Sequence, residues 1–300
     1  MTRKLPILAL LVLASPAFAL PVPPMDHVIV VVMENQAYST MVNRPYITSL
    51  RAQGATFTNS YGVAHPSQPN YFALWAGNTY VTNNNCPATG SPWGFANLGN
   101  ACQTAGKTWR AYSENLAVVG STACSYDGSA ASGLYTRKHA PWTYFTNVNH
   151  SNERPYSDLA LDIANNTLPN LAFVVPNNCH NSHNLSTPGC GVPESDTWLS
   201  QNLPQMLTAV GPNGLVILTY DEDNNDEGNR ILTVFAGNRV IPGATSGRLI
   251  YHYTVLRTIC DALGLPPVGA AFSELPITDI WQVPTPTIGT SWGQMKIRYR

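Results

Sequence analysis

The segment 63–71 (VAHPSQPNY) contains residues that can carry out nucleophilic chemistry. Ser67 supplies a hydroxyl in a proline-framed turn, and His65 lies two residues before it. The apolar run 72–76 follows and predicts a buried helix. A serine at the start of a helix lies among free backbone N–H groups, which favour an anionic serine and an anionic substrate. A serine in such a turn is commonly only a turn residue, so other residues must support the catalytic interpretation.

Two acidic clusters lie far from Ser67 in the sequence. Glu34 and Asn35 follow one apolar run, and Asp221 and Glu222 follow another. Carboxylate and amide oxygens suit magnesium, calcium or manganese better than zinc. We therefore expect these four residues to contribute to a divalent metal site near Ser67.

Simpler interpretations of these clusters remain open. Glu34 and Asn35 can be a polar turn, and five of the seven residues 221–227 are acidic, as in a solvated loop. We expect Asp223 to Glu227 to be solvated. A helix–loop–helix calcium site is excluded, because its pattern needs glycine where Asp226 stands and glutamate where Leu232 stands.

Five of the seven histidines lie in polar or aromatic loops or at helix starts: His65, His139, His180, His183 and His252. A single histidine in such a place is more often a capped or surface residue than a catalytic one. Asp196 can equally be a helix N-cap, a position that Ser195 could also fill.

Four short apolar runs predict buried strands: His27 to Met33, Leu171 to Val175, Leu215 to Tyr220 and Ile231 to Ala236. Helices are predicted at Pro45 to Gln53, Pro69 to Trp75, Trp198 to Val210 and Tyr251 to Leu263. Continuous apolar strands are typical of an α/β fold with a mainly parallel central sheet and helices on both faces. The polar clusters follow the first three strands, and sites in such folds form beyond the carboxyl ends of strands.

The N-terminus indicates export. Residues 1–19 combine a basic start, a short apolar core and a small-residue cleavage site after Ala19, as in a secretory signal. We expect one catalytic domain at 20–300, no later membrane span, and a secreted or periplasmic location. The net charge of −1 without basic runs gives no support for nucleic-acid binding.

Six cysteines in an exported chain predict disulfides. Cys179 with Cys190, and Cys86 with Cys102, would close short polar loops. Cys260 lies in an apolar helical pattern and is expected in the core. No Cys-x-x-Cys pair is present, so a zinc–thiolate site is disfavoured.

Together these motifs resemble the phosphoesterase family that contains acid phosphatases and phosphatidylcholine-type phospholipases C, within the alkaline phosphatase-like superfamily. The resemblance begins at Met33-Glu34-Asn35 and extends to about Pro267. Its other carriers are HPSQPNY at 65–71, YTRKHAP at 135–141, VPNNCHNSH at 175–183, SDTWL at 195–199, YDED at 220–223 and HYTVLRT at 252–258. It implies a three-layer sandwich of the alkaline phosphatase type.

The resemblance also implies roles for individual residues. Glu34, Asn35, Asp221 and Glu222 match the family's metal ligands, and Ser67 matches its nucleophile. His139, His183 and His252 fall near the family's active-site histidines, with the alignment of His180 against His183 left open. Asn181 stands where the family often has Asp, which favours one metal ion over two. Tyr71 stands where sulfatases of the superfamily have arginine, which argues against sulfatase activity.

The expected function is hydrolysis of phosphate monoesters by a secreted acid phosphatase through a phosphoseryl intermediate. The cofactor is a divalent ion (Ca, Mg, Mn or Zn) bound by the four ligands and Ser67, and His65, His183 or His252 donates a proton to the leaving group. Protonated histidines would favour mildly acidic pH. No Gly-x-Ser-x-Gly elbow supports a lipase or esterase.

Two alternatives remain open. One is a phospholipase C in transient contact with a lipid surface, for which the aromatic residues 141–145 would form a lip or, equally, part of the core. The other is a non-catalytic metal-dependent binding protein. We expect a small phosphorylated substrate, and no obligate protein partner is evident.

Overall fold

The computed structural model describes residues 21–127 and 133–282. The predicted signal sequence therefore lies outside the described residues. The strands are β1 His27–Met33, β2 Ala55–Phe57, β3 Ser60–Tyr61, β4 Trp109–Ser113, β5 Ser125–Tyr126, β6 Tyr135–Thr136, β7 Glu153–Pro155, β8 Leu171–Val175, β9 Gly214–Tyr220, β10 Thr233–Ala236, β11 Ala244–Ser246 and β12 Ile250–Tyr251. The α-helices are α1 Tyr38–Met41, α2 Pro45–Gln53, α3 Ser67–Ala76, α4 Leu98–Thr104, α5 Ser157–Ala164, α6 Val192–Ala209 and α7 His252–Leu263.

An eight-stranded sheet forms the centre, in the order β11-β2-β10-β9-β1-β8-β4-β7. All neighbouring strands are parallel except β10, which runs antiparallel to both β9 and β2. The mainly parallel sheet is confirmed. The order places β1 between β9 and β8, so the segments that follow these three strands begin at the same edge of the sheet.

Helices cover both faces of this sheet. Alternate residues of β1 point to opposite sides: Val28, Val30 and Val32 belong to a core layer with α3 and α7. Ile29, Val31 and Met33 belong to the layer with α2 and α6. Because both faces are buried, β1 has no polar side chain between Val28 and Met33, and this is why the sequence shows a continuous apolar run.

Several predicted bounds differ from the structure. Helix α6 begins at Val192 rather than Trp198, which places Asp196 inside it. Asp196 does not cap its own helix. Its carboxylate accepts from the backbone N–H groups of Tyr46 and Ile47 at 3.0 and 3.2 Å and so caps α2. The fourth predicted strand is shorter, since β10 begins at Thr233 and not at Ile231.

The disulfide Cys179–Cys190 is confirmed. The predicted Cys86–Cys102 pairing is wrong, because Cys86 is bonded to Cys124. Cys102 is a buried free thiol in α4, and Cys260 is a buried free thiol as expected. The prediction of Cys86–Cys102 rests on the short polar loop that this pair would close, whereas Cys102 is buried in the core.

The aromatic segment 141–145 is part of the core. Trp142, Tyr144 and Phe145 are fully buried among α3 and neighbouring aromatic rings. The interpretation of this segment as a lipid-facing lip is therefore wrong. Within the described residues, no helix is long and apolar enough to cross a bilayer.

Glu153 at the start of β7 makes stability depend on pH. Burial raises its pKa to about 8, although hydrogen bonds from Tyr135 and Ser113 oppose the shift. Between about pH 4.5 and pH 8 the folded chain keeps a proton that the unfolded chain releases, so stability falls as pH rises through this window.

We predict that Glu153→Gln, which keeps an acceptor but cannot ionise, flattens this dependence. At pH 8 the variant should exceed the wild type by on the order of 3 kcal/mol in free energy of unfolding, with little difference near pH 5. Urea unfolding at pH 5, 6.5 and 8 measures this, with Glu194→Gln on the partly exposed start of α6 as control. Parallel pH dependences for wild type and Glu153→Gln would contradict the assignment.

Candidate active site

Two carboxylates contact the hydroxyl of Ser67 at the carboxyl edge of the sheet, and a third carboxylate interacts with both of them. Glu34 follows β1, Asp221 and Glu222 follow β9, and Ser67 is the first residue of α3. Ser67 Oγ lies 2.8 Å from Glu222 Oε1 and 3.1 Å from Glu34 Oε2. All four residues are buried. The structure therefore brings together the predicted serine and three of the four predicted metal ligands.

Asn35, the fourth predicted ligand, links the two strand ends. Its backbone is left-handed, with φ 51°, and its N–H donates to Asp221 Oδ1 at 3.0 Å. The same Asp221 oxygen accepts from the Glu222 N–H at 2.6 Å. The Asn35 side-chain N–H donates to Glu34 Oε2 at 3.1 Å, which leaves the amide oxygen available. Asp221 Oδ2 is buried and has no hydrogen-bond partner among the described residues.

The carboxylates repel one another electrostatically. Burial, Glu34 and Glu222 raise the pKa of Asp221 well above its ordinary range. Burial and the charge of Glu34 raise the pKa of Glu222 to about 7. Glu34 differs: burial raises its pKa, but the neighbouring His139 and Lys138 outweigh burial and hold it well below its ordinary value. Because of this repulsion, the three carboxylates do not all ionise readily together unless a positive charge offsets it.

His65 is the most accessible histidine of the cluster, with its side chain 35% exposed. Its Nδ1 lies 2.6 Å from Glu222 Oε2, and its Nε2 lies 3.3 Å from Asp223 Oδ1. Carboxylate oxygens only accept hydrogen bonds when ionised, so both contacts are satisfied together when both ring nitrogens carry protons.

His139 and His252 are buried and hold the acidic residues in place. His139 Nε2 lies 2.9 Å from Glu34 Oε1, and its ring stacks on Tyr71 with 4.8 Å between centroids. His252 Nε2 donates to the backbone carbonyl of Asp221 at 2.6 Å. Burial lowers the pKa of each histidine to about 4, so both are neutral at ordinary pH.

The structure separates His183 from His180. The His183 ring lies 6.1 Å from that of His139, and its Nε2 is 3.1 Å from Lys138 Nζ. His180 instead binds Glu114 through Nδ1 at 2.8 Å. Of these two alternatives, His183 is the one that joins the cluster around Glu34.

Sequence analysis missed residues that fix the two loops of the site. Asn70 Oδ1 accepts from the N–H groups of Val63 and Ala64 at 2.9 and 3.0 Å, and thereby holds the turn before Ser67. Asn229 Nδ2 donates to the Ala64 carbonyl at 3.1 Å, and its Oδ1 accepts from the Asp223 N–H at 3.0 Å. Of these two residues, only Asn70 could have been recognised from the sequence, because it lies inside the 65–71 motif.

Asp223 is buried, contrary to the expectation that 223–227 is solvated as a whole. Its Oδ1 accepts from the Asn225 N–H, and its Oδ2 accepts from the N–H groups of Glu227 and Asn229. The neighbouring Gly62 approaches so closely that a Cβ there would lie 2.7 Å from the Asp221 carbonyl oxygen. These hydrogen bonds and this close packing hold the acidic loop in a fixed conformation beside the site.

The oxygen atoms of the site are of the chemical type that a hard divalent cation prefers as ligands. Glu34, Asp221 and Glu222 supply carboxylate oxygens, and Asn35 and Ser67 supply neutral oxygens close to them. Oxygen-only sets of this kind suit magnesium, calcium or manganese. Across residues 21–127 and 133–282, no three His, Cys, Asp or Glu side chains already form a metal cage. The buried, unpaired Asp221 Oδ2 is the acceptor that a cation would satisfy.

Comparison with known proteins gives consistent matches over most of the chain. The sequence profile of the phosphoesterase family matches residues 40–266. The phosphatidylinositol-3-phosphatase of Mycobacterium tuberculosis is 39% identical over 264 residues, which cover 86% of this chain and 84% of that protein. An acid phosphatase of Aspergillus fumigatus is 27% identical over 79% of this chain, but over only 54% of its own length.

A solved structure shares the fold. A protein of the alkaline phosphatase superfamily from Vibrio parahaemolyticus superimposes with a TM-score of 0.62 at 12% identity, covering 86% of this chain and 72% of that one.

Proposed function

Because the chain belongs to the phosphoesterase family, we propose that it is a secreted, metal-dependent acid phosphatase that hydrolyses phosphate monoesters through Ser67. It is a hydrolase that acts on phosphoester bonds. The observation that carries the proposal is the buried Ser67 hydroxyl at the N-terminus of α3, within hydrogen-bond distance of Glu34 and Glu222.

The cation would be held by Glu34, Asn35, Ser67, Asp221 and Glu222. When bound, a divalent ion supplies the positive charge that favours an ionised serine oxygen and offsets charge on the phosphoryl oxygens. The support is the oxygen-only donor set and the unpaired buried oxygen of Asp221.

The protein's own groups account for the proton transfers. Ser67 Oγ attacks phosphorus as its proton passes to Glu222, and the bond to the leaving oxygen breaks. His65 gives its proton to that oxygen. In the second step water attacks phosphorus and gives a proton to His65. The bond from phosphorus to Ser67 Oγ breaks, and Glu222 returns its proton to that oxygen. His65 suits this role because both its nitrogens face carboxylates while its side chain stays accessible.

The other predicted histidines orient neighbouring groups and do not transfer protons. His139 orients Glu34, and His252 orients the backbone at Asp221. Both are buried and neutral at ordinary pH, so neither carries the second ring proton that a general acid would give to the leaving group. His183 accepts rather than donates at Nε2, since its partner there is an ammonium group.

A lipid monoester is the second substrate candidate. The relative with 39% identity is a phosphatidylinositol-3-phosphatase by name, and the phosphate that such an enzyme removes is attached to the lipid as a monoester. The same site would serve either substrate. The phospholipase C alternative loses its proposed lip, because residues 141–145 are buried.

Ser67→Ala should remove nearly all turnover, at least a thousandfold in kcat, because no other hydroxyl replaces the nucleophile. Hydrolysis of p-nitrophenyl phosphate measures this, and circular dichroism checks folding. Ser60→Ala is the matched control, since Ser60 is also buried but pairs with Thr233. Residual activity above a few per cent would eliminate Ser67 as nucleophile.

Removal of metal should abolish hydrolysis, and re-addition of one divalent ion should restore it. Asp221→Asn keeps the hydrogen bonds at Oδ1 but removes a charge, so this variant should lose both activity and bound metal. A panel of Mg, Ca, Mn and Zn with p-nitrophenyl phosphate and p-nitrophenyl phosphocholine tests metal and ester class together. Faster turnover of the phosphocholine diester would favour phospholipase C, and metal binding without turnover of either would favour a binding protein.

Export should yield a mature chain that begins at Leu20. The Cys86–Cys124 and Cys179–Cys190 disulfides support an oxidising compartment. Mass spectrometry of protein collected outside the cytoplasm reads the terminus directly, and an intact Met1 there would contradict cleavage.

A further inference from the structure

Lys138 is a buried ammonium group beside the site to which no role has been assigned. Its side chain lies in the 3-10 turn Arg137–His139 and is 6% exposed. Nζ is 3.1 Å from His183 Nε2. Among the described residues, no carboxylate lies within 4.0 Å of it. The segments 1–20, 128–132 and 283–300 contain no Asp or Glu at all.

A buried charge without a counterion is costly unless another group offsets it. Glu34 is the nearby acid whose pKa Lys138 lowers through space. The oxygens of Glu34, however, already face His139 and Ser67. Lys138 has three N–H donors, and the His183 contact uses one. The remaining donors are available to an anion.

His183 holds the ammonium group in a defined direction. An ammonium only donates, so His183 Nε2 must accept and its proton must lie on Nδ1. Nδ1 is 3.0 Å from Asn184 Oδ1, an acceptor that suits this tautomer. Each hydrogen bond of the Lys138–His183–Asn184 series is therefore donated in the same direction, from the Lys138 ammonium to His183 and from His183 to Asn184.

We propose that Lys138 binds the non-bridging oxygens of the substrate phosphoryl group, oriented by His183, and that it selects for monoesters over diesters. The inference rests on the proposed function, since it places the phosphoryl group at Ser67. Lys138 precedes His139, whose ring contacts Glu34, and Glu34 contacts Ser67. Lys138 is thus linked to the nucleophile through Glu34, on which its charge acts and which contacts Ser67 directly.

The selectivity follows from charge. A phosphate monoester near pH 7 carries close to two negative charges, whereas a diester carries one. A fixed ammonium in a water-poor site gains more from the more highly charged ligand. Inorganic phosphate, the released product, shares this charge and should also bind to Lys138.

The test uses the full mature enzyme and Lys138→Met, which keeps the length of the side chain but loses its charge. At pH 7 we expect kcat/KM for p-nitrophenyl phosphate to fall about a hundredfold, the size of a lost charge-assisted hydrogen bond. We expect the dissociation constant of inorganic phosphate, measured by calorimetry, to rise at least tenfold. For bis(p-nitrophenyl) phosphate, kcat/KM should fall by less than fivefold. Lys107→Met, at a partly exposed lysine after α4, is the control.

Two further variants test the orienting role of His183. Glutamine can present an oxygen acceptor close to the position of Nε2, so His183→Gln should keep phosphate affinity within a few fold. His183→Leu removes the acceptor and should weaken phosphate binding about tenfold, with a larger effect on KM than on kcat. Equal affinities in these two variants would overturn the orienting role.

Unchanged phosphate affinity in Lys138→Met, or no phosphate binding by the wild type, would overturn the proposal. A variant that is merely destabilised, with wild-type phosphate affinity, would make Lys138 structural. If the wild type binds phosphate but hydrolyses no monoester, the proposed function fails, and the phosphate affinities of the variants still decide the role of Lys138.

Discussion

The structure depends on a concentration of like charge that the sheet imposes. Strands β1 and β9 are parallel neighbours, and Met33 pairs with Tyr220, so Glu34 and Asp221 must emerge side by side. Burial then prevents water from screening their repulsion. A fold that needed only stability would not place three carboxylates there. The turn at Ser67, the buried histidines and the acidic loop are best understood as the parts that hold this unfavourable arrangement in place.

Two neutral histidines illustrate how the cluster of carboxylates is held in place. An imidazolium at His139 would attract Glu34 more strongly, yet burial keeps the ring neutral and limits its contribution to a directed hydrogen bond. His252 acts on the backbone of Asp221, not on its carboxylate. Neither histidine cancels the negative charge. The arrangement fixes directions without removing the repulsion between the carboxylates, and a site in which the proposed cation and substrate offset that repulsion would be preorganised.

The sequence allowed the sheet centre and most of the cluster to be predicted, for physical reasons. Doubly buried strands appear as continuous apolar runs, and polar residues directly after them mark the carboxyl edge. The short strands β11, at the edge of the sheet, and β2 beside it carry no comparable pattern and were missed. The Cys86–Cys124 pairing depends on how a long loop folds back, which spacing does not record. The same limit applies to Asp196, whose partner helix α2 lies about 150 residues away in the sequence.

No sequence pattern shows which ring nitrogen of His183 donates a hydrogen bond and which accepts one. Its tautomer follows only when Lys138 and Asn184 are both placed, because each ring nitrogen is defined by what faces it. The same argument gives the opposite result for His65, where both partners are carboxylates. Two histidines of one site therefore differ in the hydrogen-bond roles open to their ring nitrogens, because one faces an ammonium and the other faces acids. A phosphate ester bound between His65 and Lys138, as proposed, would face a proton donor at His65 and a fixed cation at Lys138. The leaving group would then lie towards His65 and the non-bridging oxygens towards Lys138.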